Sequence, residues 1–216
     1  MKIIALSGKA ESGKNYYARN IKTYIEHSFN EKVCIIAFAD VLKYTCKTYF
    51  GWNGEKDEKG RKLLQEVGTE LREKNVPDIW ANITCELIRL MSTKYKWFII
   101  TDVRFERELL ALKLRFTEVY PVRIERYAVN IDYFEDDPYR GSYAIKPYIN
   151  HLTEEQRNHS SETELDNYKN WYEVIYNYTT ATYNDDIDCS ATEPMYDVFK
   201  LINRIRKEST NESIQH

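Results

Sequence analysis

Residues 8–15 read Gly-Lys-Ala-Glu-Ser-Gly-Lys-Asn, and no other stretch limits the fold of this chain so tightly. Glycines at 8 and 13 with a lysine at 14 suit a loop whose backbone N–H groups turn inward to meet an anion, while the lysine ammonium reaches the outer charges. Such a loop works between a buried strand and a helix N-terminus, where the helix dipole adds to the amides. Both neighbours are legible. Residues 2–7 (KIIALS) are a short apolar run, and residues 14–27 place Tyr17, Ile21, Tyr24 and Ile25 on one helical face. Only 7 glycines occur in 216 residues, so the pair at Gly8 and Gly13 marks a place where the backbone needs them. These flanks disfavour a chance glycine turn.

The remaining pattern continues the alternation. Residues 33–38 (VCIIAF), 97–101 (WFIIT), 118–124 (EVYPVRI) and 172–178 (YEVIYNY) read as further strands, with Pro121 suggesting an edge position or a bulge. Helical spacing covers residues 40–50, 57–74, 78–90, 105–115 and 195–207. Strand and helix in turn predict a largely parallel sheet of about five strands with helices on its faces. Residues 125–161 lack steady periodicity and predict a flap or excursion off the sheet. Residues 184–194 read as loop and 209–216 as a polar tail, in one domain without internal repeats.

In open α/β sheets, groups at the C-terminal ends of strands face the crevice where ligands bind. Asp102, Arg104, Asp40 and Lys43 all fall there. Asp102 reads as a metal-orienting carboxylate or as the cap of the helix starting near Arg104, and Arg104 is placed to meet a phosphate through two of its guanidinium nitrogens. His151 and His159 form no recognisable metal set, and His159 reads as a structural or flap residue. Tyr127, Tyr133, Tyr139, Tyr143 and Tyr148 read as packing, and the acids at 162–166 as a helix or turn end.

Composition removes several classes. A formal charge of -3 argues against a dedicated nucleic-acid binder. No apolar run is long enough to cross a membrane, and the N-terminus carries no cleavable signal pattern, so a cytoplasmic location is expected. Cys34, Cys46, Cys85 and Cys189 lie far apart, suggesting reduced packing cysteines. A homodimer is compatible with the sequence.

Taken in order, LSGKAESGKN at residues 6–15, FADVLK at 38–43, RKLLQEVGTELR at 61–72, DIW at 78–80, TDVRFERE at 101–108 and HSSETEL at 159–165 resemble the deoxynucleoside monophosphate kinases of bacteriophages and their bacterial relatives, within the nucleoside monophosphate kinase group. The likeness runs over nearly the whole chain. The family has GKD or GKT where this chain has Gly13-Lys14-Asn15, which leaves the direct magnesium ligands open.

The resemblance implies a three-layer P-loop NTPase fold with a monophosphate-binding helical insertion at about residues 50–92 and a lid at about 125–161. It implies ATP and Mg2+ as cofactors and transfer of a phosphoryl group from ATP to a deoxynucleoside monophosphate. Lys14, Asp102 and Arg104 become the catalytic candidates. Gly8, Lys9, Ala10, Glu11, Ser12, Gly13, Lys14, Asn15 and Tyr16 would bind ATP, and Asn15 and Asp102 would address the metal. Asp40, Lys43, Gln65, Arg72, Trp80 and Arg104 would face the substrate. Phosphoryl transfer needs cations from the flap side as well, and Arg126, Arg140, Lys146 and Arg157 are available. A phosphomevalonate-kinase-like small-molecule kinase and a non-catalytic nucleotide-binding module remain the alternatives.

Overall fold

The computed structural model describes residues 1–55, 57–74, 78–134, 137–180 and 194–212, with side chains described for all of these except 69–74, 130–134, 137–143, 180, 194, 211 and 212. Strand β1 (Lys2–Ser7) is followed by α1 (Lys14–Phe29), β2 (Val33–Ile36), α2 (Phe38–Tyr49), α3 (Glu58–Lys74), α4 (Ile79–Met91), β3 (Trp97–Val103) and α5 (Glu106–Lys113). Then come β4 (Glu118–Phe134), β5 (Asp137–Pro147), the short α6 (Glu154–Asn158) and α7 (Ser160–Thr163), β6 (Glu173–Thr180) and α8 (Pro194–Glu212).

Five strands run parallel in the order β2-β3-β1-β4-β6. In β1 every residue from Ile3 to Ser7 is buried, as expected of a strand covered on both faces. Alternation then sorts its side chains. Ile4 and Leu6 join Tyr17, Ile21 and Ile25 of α1 and Leu201, Ile202 and Ile205 of α8. Ile3 and Ala5 join Cys85 and Ile88 of α4 and Leu109 and Leu112 of α5 on the opposite face. The chain is thus an α/β protein with helices on both faces of a mostly parallel sheet. A third cluster, Cys46, Trp52 and Val67 with Leu42, Leu63, Leu64 and Trp80 packed against it, ties α2, α3 and α4 into a subsidiary wall.

Two boundaries shift, Phe38 opening α2 where the strand at 33–38 is expected to end and α8 running to Glu212 into the expected tail, and two larger expectations change. Pro121 lies inside the sheet and not at its edge: it pairs with Ala5 of β1, and its carbonyl accepts from Tyr172 N–H at 2.7 Å. A residue's N–H and C=O leave a strand on the same side, so the missing proline N–H falls where the β6 ladder is only beginning, at Val122 opposite Glu173. The second change concerns residues 125–161, which are far more regular than their composition suggests. β4 continues to Phe134, and its second half pairs antiparallel with β5 on the edge that β1 has vacated. Cys34, Cys46 and Cys85 are unpaired, while Cys189 and most of the expected loop at 184–194 lie outside the described residues.

Candidate functional site

The segment joining β1 to α1 is a tight loop with three residues at positive φ: Gly8 (147°), Glu11 (62°) and Gly13 (99°). Gly8 lies against the carbonyl of Ile124 in β4, and a Cβ there would collide with it. At Gly13 a Cβ would come within 2.7 Å of Asn177 Nδ2, which donates to Ser12 O at 3.0 Å. Gly13 caps α1 without any side-chain bond, and the first turn of that helix carries no acid. Two helices nearby are closed differently. Asp102 accepts from the amides of Phe38 and Ala39 at the start of α2, and Glu108 accepts from those of Arg104 and Phe105 at the start of α5. Of these three termini, α1 is therefore the one that presents open amides and a positive dipole end to the loop.

Lys14 folds back over that loop. Its Nζ donates to Gly8 O at 2.8 Å and Lys9 O at 2.7 Å, with Ser12 Oγ at 3.5 Å. Burial, followed by the nearby Arg104 guanidinium, lowers its pKa to about 8. An ammonium so desolvated and so close to a second cation is poised to be stabilised by an anion.

Beyond the loop, at Ala10, opens a cleft of about 1020 Å³ between the third cluster's wall, the end of β3 and the α6–α7 segment. Of the residues expected to face a substrate, Lys43, Gln65, Trp80 and Arg104 line this cleft, and Arg61 and Arg107 join them. Trp80 Nε1 donates to Gly68 O at 3.4 Å, placing its ring between α3 and α4. The substrate-facing role of Asp40 is not supported. Its carboxylate turns back to accept from Ala37 N–H at 2.8 Å and lies 3.4 Å from Lys43 Nζ, which makes it a brace for α2. Arg72 belongs to α3 by backbone, but its side chain lies outside the described residues.

Asp102 departs from the capping expectation for it. It caps α2, not the helix following Arg104, and each of its oxygens already holds an amide, at 2.7 and 2.9 Å. Burial raises its pKa against the pull of those two bonds. That arrangement fits a cap better than an inner metal ligand. Asn15 is exposed in the first turn of α1 and its side chain makes no hydrogen bond with another described residue, so its amide oxygen could address a metal. Among the described residues no group of three or more His, Cys, Asp or Glu forms a metal site, and no helix is long and apolar enough to cross a membrane. Tyr16 is exposed and meets Tyr17 edge-on at 5.8 Å.

Of the flap cations, Arg126 reaches the loop: Nη1 donates to Glu11 O at 3.0 Å, and the guanidinium stacks 3.9 Å over Tyr148. Tyr148 Oη also donates to Glu11 Oε2 at 3.2 Å. Arg157 instead turns to Asn150 O at 3.4 Å within its own segment, and Lys146 is exposed on β5. The Arg140 side chain lies outside the described residues, as do those of Tyr133, Tyr139 and Tyr143. His159 is structural, its Nδ1 accepting from Ser161 N–H at 3.2 Å to start α7.

The acids at 162–166 do more than end a turn. Glu162 bonds Ala10 N–H and Arg104, while Asp166 pairs with both Lys9 and Arg123. Glu162 falls in the HSSETEL segment and Asp166 just after it, four residues on. Neither that spacing nor the charges indicate a partner some 150 residues away.

No protein-family model matches the chain, and no curated protein matches it in sequence.

Proposed function

We propose that this chain is an ATP-dependent kinase with a P-loop NTPase fold, and that its acceptor is a deoxynucleoside monophosphate. One observation carries the reading: an open, glycine-built loop at the start of α1 borders, through Ala10, a second cleft whose lining brings Lys43, Arg61, Arg104 and Arg107 together, alongside the carboxylates Asp78, Asp102, Glu108, Glu155 and Glu162. Two anion-receptive places side by side suit a donor triphosphate and an acceptor monophosphate. A binder of ATP alone has no use for the second. The parallel order β2-β3-β1-β4-β6 supports the fold reading, because it places the loop of the first strand at the middle of the sheet.

In this reading the loop amides and Lys14 hold the donor phosphates, and Asn15 would be the residue to address magnesium carried by ATP, which would neutralise phosphate charge. The acceptor phosphate lies against Arg104 and Lys43, with Trp80 beside its base. An oxygen of the acceptor phosphate forms the new bond to the γ-phosphorus as the bridging bond to the β-phosphate breaks, and ADP leaves with that bond's electrons. The nucleophile is already an anionic oxygen, so no general base is demanded. The protein's contribution is alignment and neutralisation of charge. Arg126, brought to Glu11 by the hairpin, adds a cation from the opposite side.

The test is a panel of deoxynucleoside and ribonucleoside monophosphates with Mg-ATP, read by coupled ADP release, with phosphomevalonate included. Turnover of a deoxynucleoside monophosphate is expected. Turnover of phosphomevalonate alone assigns a different small-molecule kinase, and ATP binding without any turnover assigns a binding module.

A further inference from the structure

Glu162 stands in α7 with its side chain only 7% exposed. Its two carboxylate oxygens serve two different parts of the molecule. Oε2 accepts from Ala10 N–H at 2.8 Å, and Oε1 accepts from Arg104 Nη1 at 2.6 Å. The backbone carbonyl of Glu162 accepts from Lys9 Nζ at 2.6 Å. A carboxylate this buried is costly unless its oxygens are partnered, and both are. The segment carrying it is pinned at several points: Leu165 is 3% exposed in the core, Glu164 Oε1 accepts from Glu106 N–H at 3.1 Å, and Asp166 Oδ1 accepts from Arg123 at 2.9 Å.

Ala10 belongs to the glycine loop and Arg104 to the end of β3 over the cleft. We infer that Glu162 is a positioning residue whose carboxylate joins the loop to Arg104 and fixes the spacing between donor phosphates and the cation that meets the acceptor. The kinetic side of this inference rests on the phosphoryl-transfer reading, whereas the strut itself does not. In-line transfer is sensitive to such spacing, and misplacement by about 1 Å costs on the order of a hundredfold in rate. A carboxylate that merely occupied the anion site until substrate displaced it would sit exposed, and its removal would tighten anion binding. Burial and three anchoring bonds favour the strut.

The test uses Glu162→Gln and Glu162→Asp in the full chain, with thermal unfolding to establish that each folds. Glutamine keeps the shape but loses the charge facing Arg104. Aspartate keeps the charge but is one methylene short of spanning both partners. Hydrogen exchange over residues 8–14 of the nucleotide-free protein is expected to quicken in both variants. In both, kcat for the best monophosphate should fall by about tenfold or more while ATP affinity stays within about threefold. Unchanged exchange together with unchanged kcat overturns the inference, as does tighter ATP or monophosphate binding with undiminished kcat. If the wild type transfers phosphate to no monophosphate, the kinase reading fails and exchange alone decides the strut: unchanged exchange overturns it and faster exchange upholds it. Should Glu162→Gln not fold, Glu162→Asp carries both readouts.

Discussion

Asp102 Oδ1 accepts from Phe38 N–H at 2.7 Å, so the end of β3 holds the beginning of α2. The other oxygen holds Ala39 N–H at 2.9 Å, and the pair closes a helix whose flank forms part of the cleft. Removing both acceptors strands two part-buried amides. Asp102→Ala is expected to cost about 2–4 kcal/mol in urea unfolding. Asp102→Asn, which retains one oxygen, should cost less. An alanine variant as stable as the wild type would contradict the capping role.

Lys14 makes a pH-dependent prediction. Its folded pKa is lowered from 10.5 to about 8, so between those values the folded protein holds less proton than the unfolded one and stability rises with pH. Affinity runs the other way. A phosphate ligand favours the charged ammonium, so ATP binding should weaken as pH rises above about 8, and binding at pH 8–9 should take up a proton. Calorimetry in buffers of different ionisation enthalpy measures that uptake. Lys14→Met should bind ATP weakly, transfer no phosphate and show neither pH effect.

Glu108 provides a second titration. Burial raises its pKa from 4.5 to about 7, with Asp102 adding repulsion, against the pull of the Arg104 and Phe105 amides. A raised carboxyl contributes stability that is complete below the unfolded value and lost as pH climbs through the folded one. The window is therefore about pH 4.5–7. Both amides bond one oxygen, Oε2, which a glutamine carbonyl can replace. Glu108→Gln should thus match the wild type near pH 5 and exceed it at pH 8 by about 1–3 kcal/mol. Denaturant unfolding at the two pH values checks this.

The glycines separate by what surrounds them. Gly8→Ala would force a side chain against the Ile124 carbonyl at φ 147°, and should cost more than about 2 kcal/mol as well as nucleotide binding. Gly51 has φ 68° but open space around it, so Gly51→Ala should cost only about 1–2 kcal/mol and leave binding unchanged. Thermal unfolding and ATP titration of the two variants make the comparison.

The central architecture was legible because β1, β2, β3 and β6 are short apolar runs set off by helices with clear faces. The glycine loop was legible from its own residues. The hairpin was not, although Tyr127, Val129, Ile131 and Tyr133 alternate with Asn130 and Asp132 in strand fashion. Glu135, Asp136, Asp137 and Pro138 follow directly and obscure that alternation with turn-like composition. Pro121 misled for a related reason, since its missing N–H is harmful only where a neighbour needs it. Asp102 and Glu162 are a different case. A carboxylate's partners in a folded chain are set by which termini and loops pack beside it, and local spacing carries no record of an amide at position 38 or 10.

β4 runs unbroken from Glu118 to Phe134, wedged between β1 and β6 in its first half and carrying β5 on its second. The Ile124 carbonyl on which Gly8 rests lies in that same strand, three residues before the first rung shared with β5. The strand that carries β5 and the bed beneath the loop are therefore one continuous stretch of backbone.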